Sequence, residues 1–130
     1  MKSNVNKIHS FTDLIVWQKA HIFVLHIYRL TNSFPKEERY SLVDQLRRAA
    51  VSITSNISEG FHRRTSIDKS HFYYISLGSL AEIQNQLILS RDLGYISNDS
   101  FQKLGKESVE IHKLINGVIK SSSTKSSSKY

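Results

Sequence analysis

One proline and five glycines punctuate 130 residues, and this scarcity constrains the fold more than any other feature. An all-β chain needs a turn signal about every 8–12 residues, so a sandwich or barrel is excluded. Apolar residues recur instead at helical spacing, in four segments with no convincing strand between them. The absence of cysteine excludes a disulfide framework and a thiolate metal site. At 14.9 kDa the chain suffices for one domain with a real core. No apolar run follows Met1-Lys2-Ser3-Asn4, and the uncharged stretches are far short of a membrane span, so a cytoplasmic protein with no membrane partner is expected.

Residues 1–10 read as a flexible leader, 11–120 as the helical domain and 121–130 as a disordered Ser/Lys tail. Helix one is expected to start at Thr12 as N-cap, with Asp13 in its first turn and Phe11 and Val16 as a hydrophobic staple, and to run to about Asn32. Its apolar residues cover an arc of roughly 200°, about twice the stripe that one core requires. That excess predicts self-association, with Val16, Trp17, Phe23, Ile27 and Leu30, joined by Tyr73 and Leu77 of helix three, as the candidate oligomer interface.

Pro35 suits a short connection or a first helical turn, and helix two then runs to about Gly60, which can end it, with Leu42, Leu46, Ala49, Ala50, Ile53 and Ile57 as its core stripe. Helix three is capped by Thr65 or Ser66 and ends before Gly94, and its Ser76, Gly78 and Ser79 would admit a close neighbour. Helix four, capped by Ser97, carries one narrow stripe from Phe101 to Val118 and reads as an outer wall. Rods of roughly 30–40 Å suit an all-α, antiparallel up-down-up-down four-helix bundle.

The net charge of +7 is spread thin: +3 over residues 1–34, +2 over 35–64, −1 over 65–94, +1 over 95–120 and +2 over 121–130. The densest basic group is His62, Arg63, Arg64 and Lys69 around the connection between helices two and three. Arg47 would join it only if an oligomer folds the two regions together. This group is the best candidate for phosphate contact, with a solvated loop as the alternative reading. A polar stripe of Gln45, Arg48, Ser52, Asn56, Glu59 and Arg63 runs along helix two. If the helices pair about a loop centred near residue 64, Arg48 lies level with Ser79 and close to Glu82. The two would then form a partly buried ion pair that fixes register, unless Arg48 contacts a ligand directly. Breaking such a pair costs about 3–5 kcal/mol. Glu59 and Glu82 are the carboxylates expected to be buried, and Asn56 with Glu59 could instead line a polar interface or end pocket. His21 and His26 lie about 140° apart around the helix, too far to share a metal. No phosphate-binding glycine loop, nucleophile elbow or zinc motif is present, and nothing points to an enzyme or a cofactor.

Several spaced motifs carry a family resemblance. Asp13-Leu14-Ile15-Val16-Trp17-Gln18-Lys19-Ala20, Phe34-Pro35-Lys36-Glu37-Glu38, Gln45-Leu46-Arg47-Arg48-Ala49-Ala50-Val51-Ser52-Ile53 and Ser55-Asn56-Ile57-Ser58-Glu59-Gly60 resemble the 23S ribosomal RNA intervening-sequence protein family. Gly78-Ser79-Leu80-Ala81-Glu82 and Leu93-Gly94-Tyr95-Ile96 follow in the same order. The sequence departs at Thr54, where the family usually has proline, and at Ser58 and Ser76, where it usually has alanine. The resemblance implies a four-helix bundle assembling as a ring-shaped homopentamer. Its recurring Arg, Asn and Glu carry over to Arg48, Asn56 and Glu59, in structural roles first. Some relatives are encoded within 23S rRNA genes; a related group serves diversity-generating retroelements as basic rings that bind nucleic acid and a reverse transcriptase.

The expected function is therefore non-enzymatic binding of structured nucleic acid, RNA ahead of DNA, through repeated phosphate contacts on an oligomer. The alternative is a scaffold or accessory subunit for a protein partner. Assembly would strengthen the first reading, because the charge of each copy adds to one field.

Overall fold

The chain enters its first helix through a tight turn. Ser10 Oγ accepts from the Thr12 N–H at 3.3 Å, and Asp13 Oδ2 accepts from the N–H groups of Ser10 and His9 at 3.1 and 2.9 Å. These bonds hold the Asp13 carboxyl below its usual range. They cap a 3-10 turn over Phe11–Asp13 that contains Thr12, so Thr12 is not the N-cap expected; the first α-helix has Leu14 there, without a side-chain cap. Leu14 is extended, which drives its side chain into the core, and helix α1 follows over Ile15–Thr31. The computed structural model describes residues 7–124, with residue 124 by backbone alone. Residues 1–6 of the expected leader and 125–130 of the expected tail lie outside it. Ile8, within the expected leader, packs against the core.

Pro35 does not open helix two directly. A 3-10 turn over Lys36–Glu38 intervenes, and α2 spans Leu42–Phe61. Glu38 explains the delay: its carboxylate accepts from Ser41 Oγ at 2.7 Å and from the Leu42 N–H at 3.4 Å, supplying the cap. Its other oxygen accepts from the Tyr95 hydroxyl at 2.8 Å, tying this connection to the one between α3 and α4. Hydrogen bonds from Ser41 and Tyr95 keep the Glu38 carboxyl below the ordinary range, and the same carboxylate raises the Tyr95 hydroxyl. Helix α2 runs unbroken through Thr54.

Helix α3 spans Ser66–Asp92, with Thr65 Oγ1 accepting from the Asp68 N–H at 3.1 Å. It ends as expected at Gly94, whose φ of 82° is open to glycine and strained for other residues. Ser97 Oγ accepts from the Ser100 N–H at 3.1 Å and opens α4, Asn98–Thr124. The expected disordered tail is thus corrected at its start: α4 continues through Ser121, which is buried.

Four α-helices and no strand make up the described residues. Each helix touches two others, α1–α2, α2–α3, α3–α4 and α1–α4. The core stripe expected of α2 is buried in full, and α4 contributes Leu104, Ser108, Ile111, Ile115 and Val118 from one face. Arg47 ties the far end of α1: its Nε donates to Thr31 Oγ1 at 2.9 Å, and its terminal nitrogen donates to Tyr28 O at 3.2 Å and Asn32 Oδ1 at 3.1 Å. A cation at a helix C-terminus is favourable. No described helix is long and apolar enough to cross a membrane.

Helix α2 ends at Phe61, one residue past Gly60 and close to expectation, but Gly60 is not a left-handed cap: it is the last helical residue but one, without positive φ, where the Tyr73 ring of α3 meets the backbone. A Cβ at this position would stand 2.5 Å from Tyr73 Cε1. We expect Gly60→Ala to destabilise by about 1–3 kcal/mol through overpacking, outweighing the ~1 kcal/mol that alanine gains as a helix former. Urea unfolding of Gly60→Ala, Tyr73→Leu and the double variant measures this. The double variant should lose clearly less than the two single losses combined, and a stabilised Gly60→Ala would refute the contact.

Candidate nucleic-acid interface

The connection between α2 and α3 gathers His62, Arg63, Arg64 and Lys69 as expected, but the four cations do different work. Lys69 Nζ donates to Phe61 O at 2.8 Å, a carbonyl that the end of α2 leaves open, and at 3.4 Å to Gly60 O, which also accepts from the Arg63 N–H. Burial lowers its pKa. Arg63 donates to Glu59 Oε2 at 2.6 Å, and its guanidinium lies 4.6 Å over the Phe72 ring. His62 is exposed, its ring edge-on to Phe61 and Phe11 at 5.4 and 6.0 Å. Arg64 is exposed and has no hydrogen-bond or ion-pair partner among the described residues. Beside it opens a cavity of about 580 Å³, bounded by the start of α3 and the last turns of α4. Arg47 is not part of this group. It caps α1 towards the opposite end of α2, a helix about 30 Å long.

The expected oligomer residues divide. Val16, Phe23, Ile27 and Tyr73 lie in the chain's own core, which removes them as a surface for a second copy. Trp17, Leu30 and Leu77 are half-buried and pack against that core. Part of the wide apolar arc of helix one is therefore internal. Ile15, Ile22 and Leu25, on the remaining face of α1, stay exposed, as do Ile67, Tyr74 and Ile88 on α3.

The sequence profile of the 23S rRNA-intervening sequence protein family matches residues 12–117. The chain belongs to this family. Among solved structures, a protein of unknown function from the S23 ribosomal protein family of Bacteroides thetaiotaomicron VPI-5482 is similar, with 26% identity and a TM-score of 0.75. The match covers 82% of this chain and 96% of that one. No curated protein matches the sequence.

In this family member the polar stripe of α2 is rearranged from expectation. Ser52, not Arg48, is level with Ser79, whose Oγ donates to it at 2.7 Å. Ser76 Oγ donates to Ile53 O at 2.8 Å, and Gln86 Nε2 to Gln45 Oε1 at 3.2 Å. Asn56 donates back to Ser52 O at 2.8 Å, within its own helix. Arg48 pairs with Asp44 at 3.0 Å, one turn earlier, and its side chain is 79% exposed. The expected Arg48–Glu82 pair does not form: Glu82 is exposed and accepts from Gln86 at 3.5 Å, while Glu59 is exposed and serves Arg63. The buried polar residues are instead serines, Thr31 and one glutamine. Sequence reasoning named Ser76 and Ser79 only as small residues and missed Gln86, whose Oε1 is buried without a partner among the described residues.

An exposed i, i+4 pair contributes only a few tenths of a kcal/mol. Arg48→Ala should therefore change stability by no more than about 0.5 kcal/mol in chemical unfolding. A loss of several kcal/mol would mean that Arg48 has a buried anionic partner after all.

Proposed function

We propose that this protein is a non-enzymatic, nucleic-acid-binding module, an antiparallel up-down-up-down bundle that works as a homo-oligomer and takes RNA in preference to DNA. The observation that carries the reading is Arg64, exposed and unpaired among the described residues, at the end of the molecule where Arg63 and the N-terminus of α3 also lie. Peptide N–H groups at a helix start and an unshared guanidinium are both suited to phosphate oxygens. The net charge of +7 adds long-range attraction, and the family's description supports RNA over DNA. Lys69 serves this surface from behind, by fixing the turn that presents Arg63 and Arg64.

Oligomerisation is supported by the exposed apolar residues Ile67, Tyr74 and Ile88 of α3 and Ile15 and Ile22 of α1. A ring of five would repeat the cationic end around one particle and multiply weak contacts into useful affinity.

RNA binding measured across salt concentrations tests the first part. Affinity should fall steeply as salt rises, and Arg63→Ala with Arg64→Ala should lower the slope of log affinity against log salt by up to about two. No binding at low salt would refute the reading. Recovery of one specific protein after nuclease treatment, unaffected by the arginine changes, would favour the scaffold. The second part is tested by mass in solution: a multiple of 14.9 kDa is expected, five copies for the ring, and a species at the monomer mass would reject assembly.

A further inference from the structure

The cavity beside Arg64 has a chemistry of its own. Its apolar wall comes from Leu14, Phe61, Tyr73 and Val118, and its polar rim from Arg64, Thr65, Ser66 and Lys69. At about 580 Å³ it falls within the size range of small-molecule sites. Three features point to an anionic occupant. Arg64 is unshared among the described residues. The start of α3, a helix of 27 residues, faces the cavity with Thr65 and Ser66, where N–H groups and the helix dipole favour negative charge.

The third feature is Tyr73. This residue is only 3% exposed, lines the cavity, and its hydroxyl has no hydrogen-bond partner among the described residues. The ring is buried while the hydroxyl keeps an open face at the cavity, so water or a ligand is left to accept its proton. Burial pushes the Tyr73 pKa up to about 12, which keeps the phenol neutral and able to donate. Gly60 leaves the space that seats the ring, so the position of the hydroxyl is set by the packing of α2 on α3. Asp68, the acid in the first turn, is exposed and does not line the cavity.

Cation, helix start, hydroxyls and phenol together offer more donors than one carboxylate can use, and suit the three terminal oxygens of a phosphate. We propose that the cavity binds a nucleotide phosphomonoester, its phosphate held by Arg64, Tyr73 and the first turn of α3 and its flat body laid on Leu14, Phe61 and Val118. The choice of a nucleotide as the body rests on the nucleic-acid reading above; the anion site does not. A free mononucleotide and the phosphorylated end of a strand share this chemistry.

Calorimetry with adenosine monophosphate, adenosine and inorganic phosphate provides the test. It is joined by anisotropy on one RNA sequence bearing a 5′-phosphate, a 3′-phosphate or neither. The monophosphate should bind and adenosine should bind at least about tenfold more weakly, with Arg64→Gln removing most of that difference. Tyr73→Phe, which keeps the ring on Gly60, should weaken the monophosphate by about fivefold, with unchanged thermal unfolding. Preference for a phosphorylated strand assigns the strand end as the source. Equal binding of all three strands, with the monophosphate still bound, assigns the free nucleotide. Equal or absent binding of monophosphate and adenosine would overturn the cavity, as would an Arg64→Gln variant that binds the monophosphate like wild type. Salt-sensitive RNA binding that survives such a result leaves the wider reading standing, and monophosphate binding without any RNA binding removes the wider reading alone.

Discussion

The contact of the Tyr73 ring with the backbone at Gly60 governs much of what surrounds it. A side chain at Gly60 would push α3 away from α2, and the hydrogen bonds from Ser76 to Ile53 and from Ser79 to Ser52 depend on that approach. The two helices share the most extensive contact in the bundle. The same packing sets the turn that follows. With α3 close, Lys69 reaches the carbonyls of Gly60 and Phe61 at the end of α2, and the connection of His62 to Thr65 is fixed between them. The cavity, the helix start and Arg64 therefore inherit their positions from a glycine.

Part of the charge in this molecule is consumed by architecture. Arg47 closes α1, Lys69 closes α2, Arg63 and Arg48 pair one turn back, and Lys19 lies 3.1 Å from Glu110 across α1 and α4. His26 lies 2.8 Å from Glu107 on the same pair of helices. On the acidic side, Glu38 is held between Ser41 and Tyr95. Arg64 is spared, as are Arg29 and Arg39, and it matters because it alone of these lines the cavity at the start of α3.

Much of the fold was legible in the sequence, because it depends on periodicity and on residue types with narrow conformational roles. The stripe from Leu42 to Ile57 is buried, Thr65 and Ser97 cap, and Gly94 takes positive φ. The errors arose where two residues compete for one role. Ser10 precedes Thr12 and has the acid at the right spacing, so it caps a 3-10 turn that takes up Thr12 and delays α1 to Ile15. Of the two readings of Pro35 the short connection holds, because Glu38 bonds both Ser41 and Leu42 and α2 opens only there. Gly60 does mark the end of α2 to within one residue, but a sequence does not display the ring that will meet it. The pairing of Arg48 was misjudged for a similar reason: Asp44 is one turn away and exposed with it, whereas Glu82 required a register that the small serines set differently. Of the candidate site, the residues were legible and their division of labour was not, since Lys69 and Arg64 differ only in what the fold places beside them.

The excess of apolar residues on helix one leads to a sharper conclusion than the arc alone allowed. Leu14, Val16, Phe23 and Ile27 are spent on the chain's own core, so they say nothing about a second copy. What remains is a different set, on the outer faces of α1 and α3. There Ile22 is 49% exposed and Ile67 81% exposed, with Tyr74 between the ends of α3. Isolated apolar residues on a surface are ordinary, but residues recurring along one helix face form a seam. Ile67, Tyr74 and Ile88 recur in this way on α3, passing Gly78, where the helix backbone is bare. Ile67 also stands immediately after the helix start that faces the cavity. A second copy seated on that seam would meet the molecule close to Arg64, and assembly and anion binding would then be properties of the same end of α3.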